Sequence, residues 1–523
     1  MIAIKALEHI RMIKRNDHEL QKKKIDWMIT LFPFFVIIGI ALFLFIFPIQ
    51  SNRIISEVRS FLGDTLGVYY LIIGIMVFIT SIWLAGSKYG NLTLGNVGEQ
   101  PQYTFWEWGC MMFTCGLAAD ILFYSFSEWI MYASNPYVSQ LGGLMEWAGV
   151  FPLFHWGFIP WSFYLVLAVA FAFMLHVKKI RCYRYSEACR PVIGDYADGI
   201  LGRAIDIFAL FALLAGTATT FSVATPLMSQ IFSYFFHMDF SQTTITIGIL
   251  LITFFVYTYA VLHGIRGIGI LAKICIYIFL TLMLVVLFFE GETRFIIENG
   301  FQSFGKLIQH FIELSTYSDP GRSTNFPQDW TIYYWAYWMV WSVVVPFFIG
   351  TISKGRTIRQ VIVGGYIFGV GATMASFTIL GNYSLGLQVS GIYNFISQYE
   401  VNDNLYEIIL YIVNTMPHAD FVLCMILVCM ILFYATSFDS IAYTASCYSY
   451  KNLNYNDKPN IFLRLLWCVL LIILPISLVF SESSMNNIQS ISIISALPIG
   501  VIMIVIIYGL IKELGYYSDK NIK

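Results

Sequence analysis

Charge is scarce in this chain: Asp, Glu, Lys and Arg make up 12% of its 523 residues, while 58% are hydrophobic. Mean hydropathy is +0.72. A soluble domain of this length needs a more polar surface, so a water-exposed globule is excluded and the bilayer becomes the expected solvent. No face rich in Lys and Arg stands out to grip nucleic acid. The nine cysteines form no Cys-x-x-Cys pair and lie mostly inside apolar stretches (Cys110, Cys115, Cys275, Cys424, Cys429, Cys468), where they read as small apolar residues rather than a disulfide set or metal ligands. The eight histidines are scattered without a His-Glu-x-x-His helix, and no nucleophile-base pair is evident. An enzyme, a metal centre and a bound cofactor are therefore not expected. Nor is a cleavable signal, because the N-terminal segment is basic and amphipathic without a short apolar core.

What fills the chain instead is apolar runs of bilayer-crossing length, about 20 residues each. They fall near 27–49, 66–86, 105–133, 147–177, 201–233, 243–263, 267–290, 330–353, 358–384, 418–449, 461–481 and 488–513. This predicts an all-α membrane protein of twelve transmembrane helices. A basic segment at 1–26 precedes the twelve-span body at 27–513, and a short tail follows at 514–523. Basic residues cluster before the first span (Lys5, Arg11, Lys14, Arg15, Lys22, Lys23, Lys24), after the fourth (Lys178, Lys179, Arg181, Arg184, Arg190), after the eighth (Lys354, Arg356, Arg359) and before the eleventh (Lys451, Lys458, Arg464). All share one side, which the positive-inside rule makes cytoplasmic together with both termini. Residues 295–315 alternate at helical spacing and are expected to lie along the outer interface, with a second short helix at 404–416. A duplication is visible: Pro101-Gln102 precedes Phe105, Trp106 and Trp108, as Pro327-Gln328 precedes Trp330, Tyr333 and Tyr334, and each series continues to a Ser/Thr-rich span. An inverted five-plus-five repeat preceded by two extra helices produces this pattern.

Two aromatic clusters carry the chemistry. One runs from Trp156 to Tyr164 and includes Trp161; the other runs from Tyr333 to Trp341. Tyr334, Tyr337, Trp338 and Trp341 are three and four apart, so they share a helix face. Pro160 is expected to interrupt its helix and splay the first cluster toward a cavity. Indole and phenol faces with almost no cation nearby attract a methylated ammonium. The competing explanation is an interfacial aromatic belt, but Trp338 and Trp341 lie near mid-span, where belts do not form. Asp120 lies deep in the third span, within Gly116-Leu117-Ala118-Ala119-Asp120. Burying it costs at least about 2.5–3.5 kcal/mol, which points to a proton, a cation or a cationic substrate as partner, or to a structural bond with a neighbouring helix. Glu128, nearer the span end, is expected to be solvated. Thr436, Ser437, Asp439 and Ser440 offer the hard oxygen ligands of a sodium site, although such hydroxyls commonly bond back to their own helix. Lys273 is either a tethered charge or a snorkelling side chain at the edge.

The run Phe154-His155-Trp156-Gly157 with Pro160-Trp161 resembles the fourth-helix signature of the betaine/choline/carnitine transporter family. Trp330 to Trp338, followed by Ile352-Ser353-Lys354-Gly355-Arg356-Thr357-Ile358-Arg359, resembles its eighth-helix signature. The likeness extends from about residue 27 to 513. It implies a LeuT-like inverted repeat, a homotrimer, and an aromatic box for trimethylammonium. Trp156, Trp161, Tyr164 and Trp338 match box positions, and Trp341 matches an aromatic further along the path toward the cytoplasm. Tyr337 stands where paired tryptophans are usual. Asp120, at the end of the glycine-rich third-helix motif, resembles the proton-coupled choline branch. Met111-Met112-Phe113 and the stretch from Glu128 to Pro136 look like the carnitine/γ-butyrobetaine exchangers. The exchangers' fixed arginine falls at Ala272, with Lys273 beside it. Thr436-Ser437 retains the hydroxyl pair of the sodium-coupled carriers. The basic C-terminal tail of osmosensing members is missing, so osmotic activation is not expected.

These readings favour a plasma-membrane secondary transporter taking up choline or a close analogue with protons, Asp120 serving as proton or charge partner. Choline is a net cation that a carboxylate compensates, whereas betaine and carnitine bring their own. The alternatives are sodium-independent exchange of carnitine-like betaines and, from another class, a channel or receptor for quaternary amines. Proton, sodium or neither stays open as the coupling ion.

Overall fold

The structure, a computed structural model, describes residues 25–521 apart from 97, 116–117, 181, 238–239, 264–267, 452, 454–458 and 481–484. The basic N-terminal residues Lys5 to Lys24, the Gly116-Leu117 pair, Arg181 and Lys458 lie outside the described residues, as do the side chains of Ala272, Asp439 and Ser440. Among the described residues the fold is all helical, with two isolated β-bridges, Ile25 to Tyr450 and Thr93 to Thr357, as its only extended pairing.

Eight helices are long and apolar enough to cross a membrane, or eleven if each of three bent helix pairs counts as one span. The expected span at 243–263 is a helix, Gln242–His263, apolar over Gln242–Phe255 among the described residues. Depth in the bundle differs sharply between spans. The most apolar stretch of Val150–Val177 is 94% buried and that of Ile200–Phe236 is 89% buried, against 33% for Trp27–Ile46 and 39% for Gly67–Gly86. The peripheral helices expose Phe35, Phe45, Ile72 and Ile79, faces that only a lipid environment tolerates. Inside, Phe158–Ala172 packs along Val345–Ile352, and Ile332–Trp341 lies against Met485–Asn521.

The bends shape the centre. Phe105–Thr114 and Ala119–Ala133 meet at 66°, and Pro327–Trp341 and Val345–Ile352 at 54°. Ala118 is fully extended at the first break (φ −131°, ψ 170°), and Pro346 opens the helix after the second, where its missing N–H is harmless. A third break interrupts the fourth expected span, though not at Pro160. That proline sits in the first turn of Phe158–Ala172, where no intrahelical donor is needed. The chain turns instead at Trp156-Gly157. A Cβ on Gly157 would collide with the Leu153 carbonyl oxygen, so only glycine fits that corner. The 109° turn between Lys273–Phe289 and Thr293–Gln309 sends the latter across the bundle. Its outer face shows Ile297, Phe301 and Ile308 while Asn299, Gly300 and Ser303 face inward. A second short helix forms at Leu405–Asn414.

The Ser353-Lys354-Gly355-Arg356 motif is a clasp. Arg356 stacks on Trp108 at 4.4 Å and donates to the Tyr103 and Thr104 carbonyls at 3.0 Å each. The Trp108 Nε1–H donates to Ser353 Oγ at 3.1 Å. Two bent spans are thereby tied together at their ends.

On the opposite side, Asp319 organises the loop that leads into the aromatic helix. Its carboxylate accepts the backbone N–H groups of Ser323 (3.0 Å), Thr324 (2.8 Å) and Asn325 (2.8 Å). Burial pushes its pKa up, but these N–H donors outweigh that and pull it down to about 2, from an ordinary 3.8. Because the folded-state value is the lower one, Asp319 adds stability above about pH 4, and this is lost as pH falls through about 2. Asp319→Ala is expected to lower the thermal midpoint in detergent by several degrees at neutral pH. The gap from wild type should shrink on acidification below about pH 4; a gap that does not change with pH would show that the carboxylate charge is not what holds the loop.

Candidate functional site

The aromatic residues converge where the breaks meet. Trp338 is the hub. Its ring lies 5.6 Å from Trp156, 5.7 Å from Trp161 and 4.8 Å from Tyr164, all tilted or edge-on rather than stacked flat. Trp156 also meets Tyr124 and Tyr334 at 5.7 Å each and Phe377 at 5.0 Å. These rings do not face lipid: Trp156, Trp161, Tyr164, Tyr337 and Trp338 are all buried. All but Trp161 border a cavity of about 520 Å³ lined by Asp120, Trp156, Tyr164, Tyr337, Trp338 and Trp341, and by Cys275, Phe433, Thr436 and Ser437. Trp161 stands behind the wall, fixing Trp338 and Tyr164. No Lys or Arg is among the described residues lining the space. It extends to Tyr183, Tyr443 and Cys447, close in sequence to Arg184 and Lys451.

Asp120 opens the second half of a broken span, in the first turn of Ala119–Ala133, where the free N–H groups of a helix start favour a negative charge. It is 2% exposed. Its Oδ2 accepts a hydrogen bond from the Tyr337 hydroxyl, which is also bonded to Thr220 Oγ1. Three helices thus meet at one carboxylate. The phenol at 337 supplies the hydroxyl that bridges Asp120 and Thr220.

Lys273 does not join this site. It is exposed and absent from the cavity wall, while its neighbours Cys275 and Ile276 line it. Thr436 and Ser437 do line it, and the Thr436 hydroxyl turns back onto the Leu432 and Phe433 carbonyls at 3.0 and 3.1 Å.

Glu128 is the main residue that sequence reasoning misplaced. It is not solvated at a span end but fully buried. Its Oε2 accepts the Trp156 Nε1–H at 2.8 Å, and its Oε1 accepts from the Tyr132 hydroxyl. Tyr132 in turn meets His155 Nδ1 at 2.6 Å, and His155 Nε2 meets Thr331 Oγ1 at 3.0 Å. The signal was present: Asp120, Tyr124, Glu128 and Tyr132 repeat every four residues, a polar stripe along one helix face.

An all-helical bundle of apolar spans, bent around a buried aromatic cavity, is the build of a multi-pass membrane transporter. The chain belongs to one such family: a family model described as "BCCT, betaine/carnitine/choline family transporter" matches residues 28–518. Curated relatives span nearly the same length. A "Carnitine transporter" of Acinetobacter baumannii is 26% identical over 488 residues, 92% of this chain and 87% of that protein. An "Osmo-independent choline transporter BetT1" of Acinetobacter baylyi is 28% identical over 480 residues, 90% and 89%. An "Uncharacterized transporter YeaV" of Escherichia coli K12 is 27% identical over 443 residues, 84% and 91%.

The box is tightly fitted at its rear. A Cβ on Gly369 would overlap the Trp161 ring, which is itself pressed on Trp338. Gly369→Ala is expected to destabilise the protein by about 1–3 kcal/mol through overpacking and to quench or shift tryptophan fluorescence as the pair moves. An unchanged melting curve and spectrum would mean the rear wall yields freely.

Proposed function

We propose that the protein is a secondary transporter that carries a quaternary ammonium compound across the plasma membrane by alternating access. The favoured reaction is proton-coupled uptake of choline or a close analogue. One observation carries this reading: a buried carboxylate, Asp120, and the aromatic faces of Trp156, Tyr164 and Trp338 border the same cavity, with no lining Lys or Arg among the described residues. Aromatic faces suit the methylated nitrogen through quadrupole and dispersion. A lone carboxylate suits a substrate with net positive charge, and in the substrate's absence a proton. The relative named as a choline transporter, 28% identical, agrees with this substrate class.

Exchange of carnitine-like betaines is the second reading, favoured by the relative named as a carnitine transporter at 26% identity. The position of Lys273 away from the cavity argues against it, since no fixed cation then stands in for a coupling ion. A channel is a weaker reading, because broken spans around a central site open to one side only are how carriers are built. The 66° and 54° bends fall in the third and eighth expected spans, corresponding positions of two five-span halves, which supports an inverted repeat after two extra helices and a total of twelve spans. With basic loops inside, both termini are cytoplasmic and the cavity's extension toward Tyr183 and Tyr443 is an inward-facing path. Assembly as a trimer rests on the family likeness.

The test is uptake of radiolabelled choline into proteoliposomes under a proton gradient, with and without sodium. Asp120→Asn is expected to abolish gradient-driven accumulation while leaving counterflow measurable. Accumulation undiminished in the mutant would remove Asp120 from coupling. Separately, Trp338→Ala should weaken choline binding by roughly 30-fold, the equivalent of about 2 kcal/mol for one desolvated cation–π contact. Isothermal titration checks it, and an affinity within a factor of two of wild type would place the ammonium elsewhere.

A further inference from the structure

We infer that Glu128 is a positioning residue for cation recognition, acting through the indole of Trp156 to make the box discriminate a quaternary ammonium from a neutral molecule of the same shape. This rests on the quaternary-ammonium reading of the cavity and adds to it a residue outside the cavity wall. Glu128 touches no lining space. It stands directly behind Trp156, whose Nε1–H donates to Oε2 at 2.8 Å, while the Trp156 ring borders the cavity and meets Trp338 at 5.6 Å.

Trp156 differs from the other indoles here. The Nε1–H groups of Trp161, Trp338 and Trp341 are buried without a hydrogen-bond partner among the described residues, so Trp156 is the one bound to a carboxylate. An N–H that donates to a carboxylate is polarised, and the electron density it gives up is shared by the ring. The face turned to the cavity becomes more negative, and a cation over that face is held more strongly. A neutral isostere gains little, because its contacts with the ring are dispersive and depend on shape.

The surroundings are arranged to hold this geometry. Glu128 Oε1 accepts from the Tyr132 hydroxyl, which meets His155 Nδ1 at 2.6 Å. His155 is locked from the far side by Thr331 Oγ1 at 3.0 Å and by a parallel stack on Tyr334, with centroids 5.0 Å apart and ring planes 16° apart. Both carboxylate oxygens are therefore engaged. Among the described residues Glu128 has no Lys or Arg ion-pair partner, and its only ion-pair contact is His155 at 3.9 Å. No side-chain cation of that kind cancels the carboxylate before it reaches the indole. Glu128 and Asp120 lie two helical turns apart, so an ammonium in the box has acidic groups on two sides, one at the wall and one relayed through a ring.

The experiment compares binding of choline with binding of its uncharged isostere, 3,3-dimethyl-1-butanol, to the purified full-length protein. Glu128→Gln keeps an oxygen that accepts from Trp156 and an amide that reaches Tyr132, but removes the ionisable group. It is expected to lower choline affinity about tenfold while changing isostere affinity less than twofold, with an unaltered melting temperature. In a Trp156→Phe background, which has no indole N–H, Glu128→Gln should have less than a twofold further effect on choline. Equal losses for both ligands, or unchanged choline affinity, would overturn the inference, as would a full tenfold effect of Glu128→Gln in the Trp156→Phe background. If Glu128→Gln yields no folded protein, Trp156→Phe alone decides: the choline-to-isostere ratio must fall, and an unchanged ratio overturns it. Wild-type protein that binds choline no better than the isostere would instead refute the quaternary-ammonium reading itself.

Discussion

A carboxylate inside a bilayer must find hydrogen bonds from the protein, and much of this bundle's centre is organised by two that do. Asp120 and Glu128 lie on the same helix, Ala119–Ala133, and both are buried. Asp120 is satisfied by Tyr337, and through it reaches Thr220 on the long central helix. Glu128 is satisfied by Trp156 and Tyr132. Every one of these partners has to be delivered at a set height and angle. The breaks at Ala118, at Trp156-Gly157 and after Trp341 are what deliver them: each lets one segment turn so that its aromatic face points inward. The polar groups thus constrain the backbone, and the backbone in turn leaves an aromatic-walled space between its halves.

Much of the architecture was legible because bilayer thickness leaves little freedom. The apolar runs marked helices at the expected positions: eight are long and apolar enough to cross a membrane, one of these turning at Trp156-Gly157, and three more belong to bent pairs. Spacing alone put Tyr334, Tyr337, Trp338 and Trp341 on one face; the last three border the cavity, while Tyr334 packs behind it against His155 and Trp156. Where reading the sequence failed, the reason was local. Pro160 looked like the breaker because proline is poor in helix interiors, yet in a first turn it is accommodated, and Gly157 takes the corner that no Cβ could occupy. Glu128 was judged by its distance from a span end, which says nothing about how far neighbouring helices extend over it. Its four-residue spacing from Tyr124 and Tyr132 was the better guide.

Other residues had two readings that only neighbours could separate. Lys273 and Asp120 are both charges within apolar runs, but the lysine's long stem lets it leave the interior, and it is exposed. The aspartate's short one does not, so it needs a hydroxyl brought to it. Trp161 and Trp338 share a residue type and touch each other, yet Trp338 is part of the cavity wall and Trp161 a buttress behind it. Thr436 lines the cavity and bonds back to its own helix.

The arrangement also bears on how one scaffold serves substrates of different charge. A trimethylammonium group is common to choline, betaine and carnitine, so the aromatic faces alone cannot tell them apart. Discrimination has to come from whatever surrounds the remainder of the molecule. Here the wall next to the box carries an aspartate paired with a phenol rather than a row of small uncharged residues. An anionic substrate end would meet a like charge in a medium that screens it poorly, where even partial exclusion of water makes the repulsion worth several kcal/mol. A hydroxyl end would meet an acceptor. On the proposed reading, residues 120 and 337 together, with the aromatic faces left as they are, are where a preference for a cation over a zwitterion would be set.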